Sequence, residues 1–141
     1  MKFIKNFSII LLLLCVILCG TINVCAKSSD LNVITQVQVI CHRGNSTVNR
    51  IYVQPHKIEA VLNYLRLLKC KGAPDTDPEQ MAGDSYEIIL YDAGGQCSIY
   101  RQRANRFFSK NSQPWKNILP EQASLLYPLV QSIPTDVKNA E

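Results

Sequence analysis

The stretch PHKIEAVLNYLRLLKCKG, residues 55–72, constrains the fold more than any other. It reads as an amphipathic helix with both ends marked. Pro55 suits the first helical position, where its missing N–H costs nothing. Ile58, Val61, Leu62, Leu65 and Leu68 recur at spacings of three and four and form one apolar stripe. Lys57, Glu59, Asn63, Arg66 and Lys69 fall on the other side. Gly72 offers a left-handed residue past the end, and Pro74 blocks resumption. Burying five aliphatic side chains is worth on the order of 10 kcal/mol gross, before chain entropy opposes it. That gain requires a flat apolar partner, and the flanking segments read as strands. The helix therefore predicts a sheet. It predicts no reaction.

Residues 31–41 read as a strand, with Val33, Thr35, Val37, Val39 and Cys41 on the core side. Gly44-Asn45 is a hairpin signal, and residues 48–53 are the returning strand. After the helix, residues 73–83 (APDTDPEQMAG) form an acidic crossing loop, long enough to leave room for mobility. Residues 85–92 and 97–102 pair around Ala93-Gly94-Gly95-Gln96, and residues 106–109 add a short fifth strand after a turn at Ala104-Asn105. Pro120 opens a second helix, which Pro128 kinks or splits. The expected class is α+β: one antiparallel sheet of four to five strands in the order β-β-α-β-β-(β)-α, with the long helix packed on one face.

The N-terminus is set apart from this domain. Residues 1–26 have a basic start (Lys2, Lys5), an apolar run over residues 9–19 and a small-x-small ending at Val24-Cys25-Ala26. That is the pattern of a secretory signal. The expected division is a signal over residues 1–26, one domain over 27–133 and a flexible tail over 134–141. Retention as an anchor and lipidation are the alternatives, although Leu14, Leu18 and Val24 precede the cysteines where a lipidation box wants a small residue. Without Lys2 and Lys5 the chain has 13 basic and 11 acidic residues, a net charge of +2. So small a charge argues little for a nucleic-acid partner. Cys41, Cys70 and Cys97 remain after the signal, which permits one disulfide and one thiol, or three thiols.

Few residues suggest chemistry. Cys41 and His42 are adjacent on a strand, point to opposite faces, and cannot form a dyad with each other. Asp75-x-Asp77-x-Glu79 begins like a calcium loop, but Gln80 and Tyr86 stand where a glycine and a bidentate glutamate are needed. No cysteine or histidine spacing suits a metal, and no cofactor is implied. Residues 100–116, YRQRANRFFSKNSQPWK, hold five cations and no acid, interleaved with Tyr100, Phe107, Phe108 and Trp115. Arginine–aromatic surfaces bind anions and proteins through guanidinium forks and ring faces. Tyr100, Arg101, Arg103, Arg106, Phe108 and Trp115 are thus the candidate binding residues. Against this stands a packing role, in which the rings cover the sheet and the cations neutralise the acids between Asp75 and Asp92.

Through PHKIEAVLNYLRLLK, SYEIILYDAGGQCSIYRQ and PWKNI the chain resembles small exported single-domain proteins of Gram-positive anaerobic bacteria. In these a P-x-K-x-x-x-V-L-x-Y-L-R helix precedes a Y-x-I-x-L-x-D-x-x-G hairpin. The resemblance covers most of the chain after the signal. It rests on fold-determining residues, so it implies export and one compact domain, and no functional residue. The leading expectation is a non-enzymatic binding module, secreted or in the cell envelope. Its partner is a protein or an anionic envelope component; nucleic acid is not expected, and the membrane is touched only through the N-terminal segment. The alternatives are an exported thiol enzyme, using Cys97 or Cys70 with His42 or His56, and a structural domain held outside the membrane by its anchor.

Overall fold

β1 (Ile34–Arg43) and β2 (Ser46–Tyr52) form the hairpin expected at Gly44-Asn45. Gly44 takes φ +58°, the left-handed conformation that so tight a turn needs. These strands belong to a computed structural model that describes residues 33–123 and 125–137. The expected signal, residues 1–26, and the end of the expected tail, residues 138–141, lie outside the described residues. Val37, Val39 and Cys41 turn inward as the alternation requires, opposite Leu90, Ile88 and Tyr86 of β4 (Ser85–Asp92). The alternation fails at the start of β1. The register shifts between Ile34 and Gln36, so Ile34 packs on the core while Val33, expected inward, is exposed. A bulge of this kind inserts one residue and exchanges the faces of whatever precedes it.

Beyond β4 come β5 (Cys97–Arg103), β6 (Phe107–Lys110), β7 (Lys116–Ile118) and the two-residue β3 (Cys70–Lys71). The order across the sheet is β2-β1-β4-β5-β6-β7-β3, every pairing antiparallel. The helical pieces are α1 (Pro55–Leu67), α2 (Pro120–Ala123) and α3 (Leu126–Ser132).

The expected architecture, four to five strands with one long helix packed on a face, is therefore corrected. The chain is mainly a seven-stranded antiparallel sheet with short helices. Two features of the sequence explain the difference. β3 and β7 have two and three residues, too few to show a period of two. The helix also ends at Leu67 and not near Gly72, because Leu68 turns extended and Cys70 enters the sheet opposite Ile118. Its 13 residues rise about 20 Å. Six strand spacings cover about 29 Å, so no helix among the described residues extends across this sheet. Ile58, Val61 and Tyr64 are the residues that α1 buries in the cluster around Val37, Val39, Tyr52, Tyr86, Ile88 and Leu126.

The second helix does split, but not at Pro128. The break falls between Ala123 and Leu126, and Pro128 sits in the first turn of α3. There the backbone N–H groups have no intrahelical acceptor, so proline removes nothing. Beyond α3, residues placed in the flexible tail by sequence are tied down. Thr135 exchanges hydrogen bonds with the backbone of Ile51 on the edge strand β2, and the Asp136 N–H donates to the Ile51 carbonyl. The Asp136 carboxylate accepts from the backbone N–H groups of Val53 and Gln54 and pairs with Lys57 in the first turn of α1.

This latch carries a pH dependence. The Lys57 hydrogen bond, aided by those from Val53 and Gln54, lowers the Asp136 pKa from 3.8 to about 2. A carboxyl depressed in the folded state stabilises it fully above its unfolded pKa, and that stabilisation is lost as pH falls towards the folded value. Asp136→Asn is expected to lower stability by a constant amount at neutral pH. The difference from wild type shrinks from about pH 4 down to about pH 2. Urea unfolding of both proteins at a series of pH values measures it, and a difference unchanged down to pH 2 would remove Asp136 as the group responsible.

Candidate functional site

The sheet divides the cationic run between its two faces. On the face turned from the helices, cross-strand register puts Thr47, His42, Ser85, Arg103 and Phe107 in one row. Asn49, Ile40, Glu87, Arg101 and Ser109 form the next. A cleft of about 150 Å³ lies over these rows, with Glu79 and Trp115 contributing to its lining. On the helix face, Tyr86, Gln102, Phe108 and Lys116 share a row, and Ile88, Tyr100 and Lys110 share the next. The Tyr100 and Phe108 ring centroids are 5.8 Å apart, and the Lys110 ammonium stands 5.3 Å from the Tyr100 centroid.

The six candidate residues do not converge. Arg101, Arg103 and Trp115 line the open-face cleft. Tyr100 and Phe108 stack on the other side of the sheet. Arg106, in the β5–β6 turn, lies over the Phe107 ring and faces a separate hollow beside Asp75 and Asn117. A run read as one surface is split because neighbouring strand residues alternate faces.

Electrostatics divides the run a second time. Arg101 pairs with Glu87 at 3.3 Å, Arg103 with Glu79 at 2.9 Å and Arg106 with Asp75 at 3.8 Å. Elsewhere Arg43 pairs with Asp84, Lys57 with Asp136 and Arg66 with Glu59. The three exposed pairs of the run contribute at most about 1 kcal/mol each to stability, yet they cancel the charge that the arginines would offer a ligand. Lys69, Lys71, Lys110 and Lys116 enter no ion pair with a described residue, and all four side chains are exposed. They sit on or beside β3, β6 and β7, at one edge of the sheet. Arg50, which also lacks an ion pair among the described residues, is on β2 at the opposite edge. Lys110 and Lys116 are diagonal cross-strand neighbours, about 7–8 Å apart. Sequence reasoning passed over the lysines in favour of the arginines. The acids of residues 73–83 were the available signal, since a crossing loop rich in acid must end beside something basic.

Of the two arrangements the sequence permits for the cysteines, the structure holds the one with three thiols. Cys41, Cys70 and Cys97 are all free thiols, with no disulfide among the described residues. Cys41 is buried in the core beside Tyr86, its cross-strand partner, and burial raises both pKa values. Burial also raises the Cys70 thiol, against the opposing influence of Lys116. None of the three described cysteines meets a histidine across the fold. Cys97 shares the open face with His42 but lies six residues along β5 from Arg103, which is level with His42, so about 20 Å separates them. His56 opens α1 and Cys70 follows its other end, again about 20 Å away. Five strand spacings, about 24 Å, separate Cys70 from His42.

No protein-family model matches this chain, and comparison with curated proteins and with solved structures finds no similar protein. The site's chemistry has to speak for its function.

Proposed function

We propose that the chain is a small exported binding module that takes a phosphate-bearing anionic component of the cell envelope. The lysine edge is the binding surface, with Lys110 and Lys116 on the face of Tyr100 and Phe108, and Lys69 and Lys71 along the outermost strand. The observation that carries this is the segregation of unpaired charge. Every arginine of the run has a carboxylate partner, while the four lysines of one sheet edge have none among the described residues. Ammonium groups are compact point charges that suit phosphate oxygens. The tilted Tyr100–Phe108 pair supplies an apolar floor, over which the Lys110 ammonium stands at the Tyr100 ring.

Retention on immobilised polyphosphate, eluted with a salt gradient, tests this. Replacing all four lysines by glutamine is expected to weaken binding about 30-fold or more, at roughly 0.5–1 kcal/mol per contact. Arg103→Gln with Arg106→Gln should change it little, because those side chains already have partners. Equal losses in the two variants, or no salt-sensitive retention of the wild-type protein, would overturn the assignment.

A further inference from the structure

A second feature of the helix side adjoins the lysine edge. Between α1 and the α2–α3 pair runs an apolar groove of about 250 Å³, lined by Tyr64, Leu67, Leu68, Leu125 and Leu129. Two of these leucines face water: Leu67 is 69% exposed and Leu125 52%. The groove ends at Gln122, whose side-chain oxygen accepts the Lys69 N–H at 2.6 Å. Lys69 thus stands at its mouth, with Lys116 on the helix face one strand further in, whereas Lys71, level with Asn117 and Phe107, lies on the opposite face. Glu121 is the acid on this rim, and Arg66 and Glu59 cancel each other beside Leu67.

We propose that this surface docks the folded domain on an anionic lipid bilayer, with Leu67 and Leu125 entering the acyl boundary and Lys69 and Lys116 meeting the headgroups. The occupant follows from complementarity. Protruding leucines beside unpaired lysines match the two layers of an anionic interface, where apolar burial and attraction to headgroups add. A free polyanion would use the lysines and leave the leucines in water. No helix among the described residues is long and apolar enough to cross a membrane, and docking of this kind requires none. The inference rests on the lysine assignment above and names lipid as the source of the phosphate.

The chain's one tryptophan makes the test internal. Trp115 lines the cleft on the opposite face of the sheet. The full-length chain is compared with a Leu125→Trp, Trp115→Phe variant on vesicles of phosphatidylcholine with 30% phosphatidylglycerol, an amount of about one anionic lipid in three, using lipids brominated near the headgroup. The tryptophan at position 125 is expected to shift to the blue and lose at least half its emission, while Trp115 in the wild-type chain loses little. Because the reporter compares two faces of one molecule, attachment through the N-terminal segment alone cannot produce that contrast. Adding Lys69→Gln and Lys116→Gln should reduce the quenching at least threefold, as should vesicles of phosphatidylcholine alone. Equal quenching at positions 115 and 125 would overturn the proposal. So would an unquenched position 125 in a protein that still binds polyphosphate through its lysines, and that result would leave the proposed function standing. Loss of both signals would remove both.

Discussion

Phe107→Ala is expected to lower the unfolding free energy by about 3–5 kcal/mol, whereas Phe108→Ala, one residue on, should cost about 1 kcal/mol. The two rings are neighbours in sequence and lie on opposite faces of β6. Phe107 has no exposed surface, although its face of the sheet is the one turned from the helices. Its shield is local. The loop over residues 73–83 is fastened at that end by Glu79 to Arg103, by Asp75 to Arg106 and by Asn117 Nδ2, which donates to the Ala73 carbonyl. Pro78 of the loop is buried, and the Arg106 guanidinium lies 5.3 Å from the Phe107 centroid. Removing the ring leaves a cavity under a loop whose other contacts are exposed ion pairs, each worth at most about 1 kcal/mol. The loop should then loosen, and amide exchange over residues 73–83 should accelerate in Phe107→Ala and stay as in wild type in Phe108→Ala. Equal destabilisation by the two substitutions, measured by urea unfolding, would mean that this second small core does not exist.

That core shows where the sequence stopped being legible. The alternation in β1 from Val37 to Cys41, the Gly44-Asn45 turn and the Ala104-Asn105 turn follow from patterns of two to ten residues, and they form where expected. Local pattern also marked the start of α1 at Pro55. It did not mark the end, because a stripe of leucines continues through Leu68 while tertiary pairing draws Cys70 into the sheet. The strands β3 and β7 exist only because β6 offers an edge for them, which no window of two or three residues can reveal. Charge followed the same division. Glu87 and Arg101 meet across a hairpin whose two strands the sequence marks. Arg103 with Glu79 and Arg106 with Asp75 depend on how a crossing loop folds back, and those two pairs decide that the arginines are neutralised. Which cations remained available was therefore a property of the fold and not of the run.

A substitution at Gln102 should expose a polar contact on which the main core depends. Gln102 is 2% exposed on the helix face of β5, between Tyr86 and Phe108 in register. Its side-chain oxygen accepts the Tyr64 hydroxyl of α1, and its amide donates to Asn105 in the turn that follows β5. Burial raises the Tyr64 pKa well above its usual value, so the phenol stays neutral and remains a donor across the range in which the protein folds. Gln102→Leu fits the volume but leaves that hydroxyl without its acceptor, at a cost of about 1–3 kcal/mol. Tyr64→Phe removes the hydroxyl from the other side and takes away the donor that α1 gives the amide oxygen, so it should fall in the same range. The double variant is the informative one. With both polar ends gone the desolvation penalty disappears, and its stability should return to within about 1 kcal/mol of wild type. A double variant as unstable as the two single losses added together would show that Tyr64 and Gln102 act separately, and that the hydrogen bond does not couple α1 to the sheet.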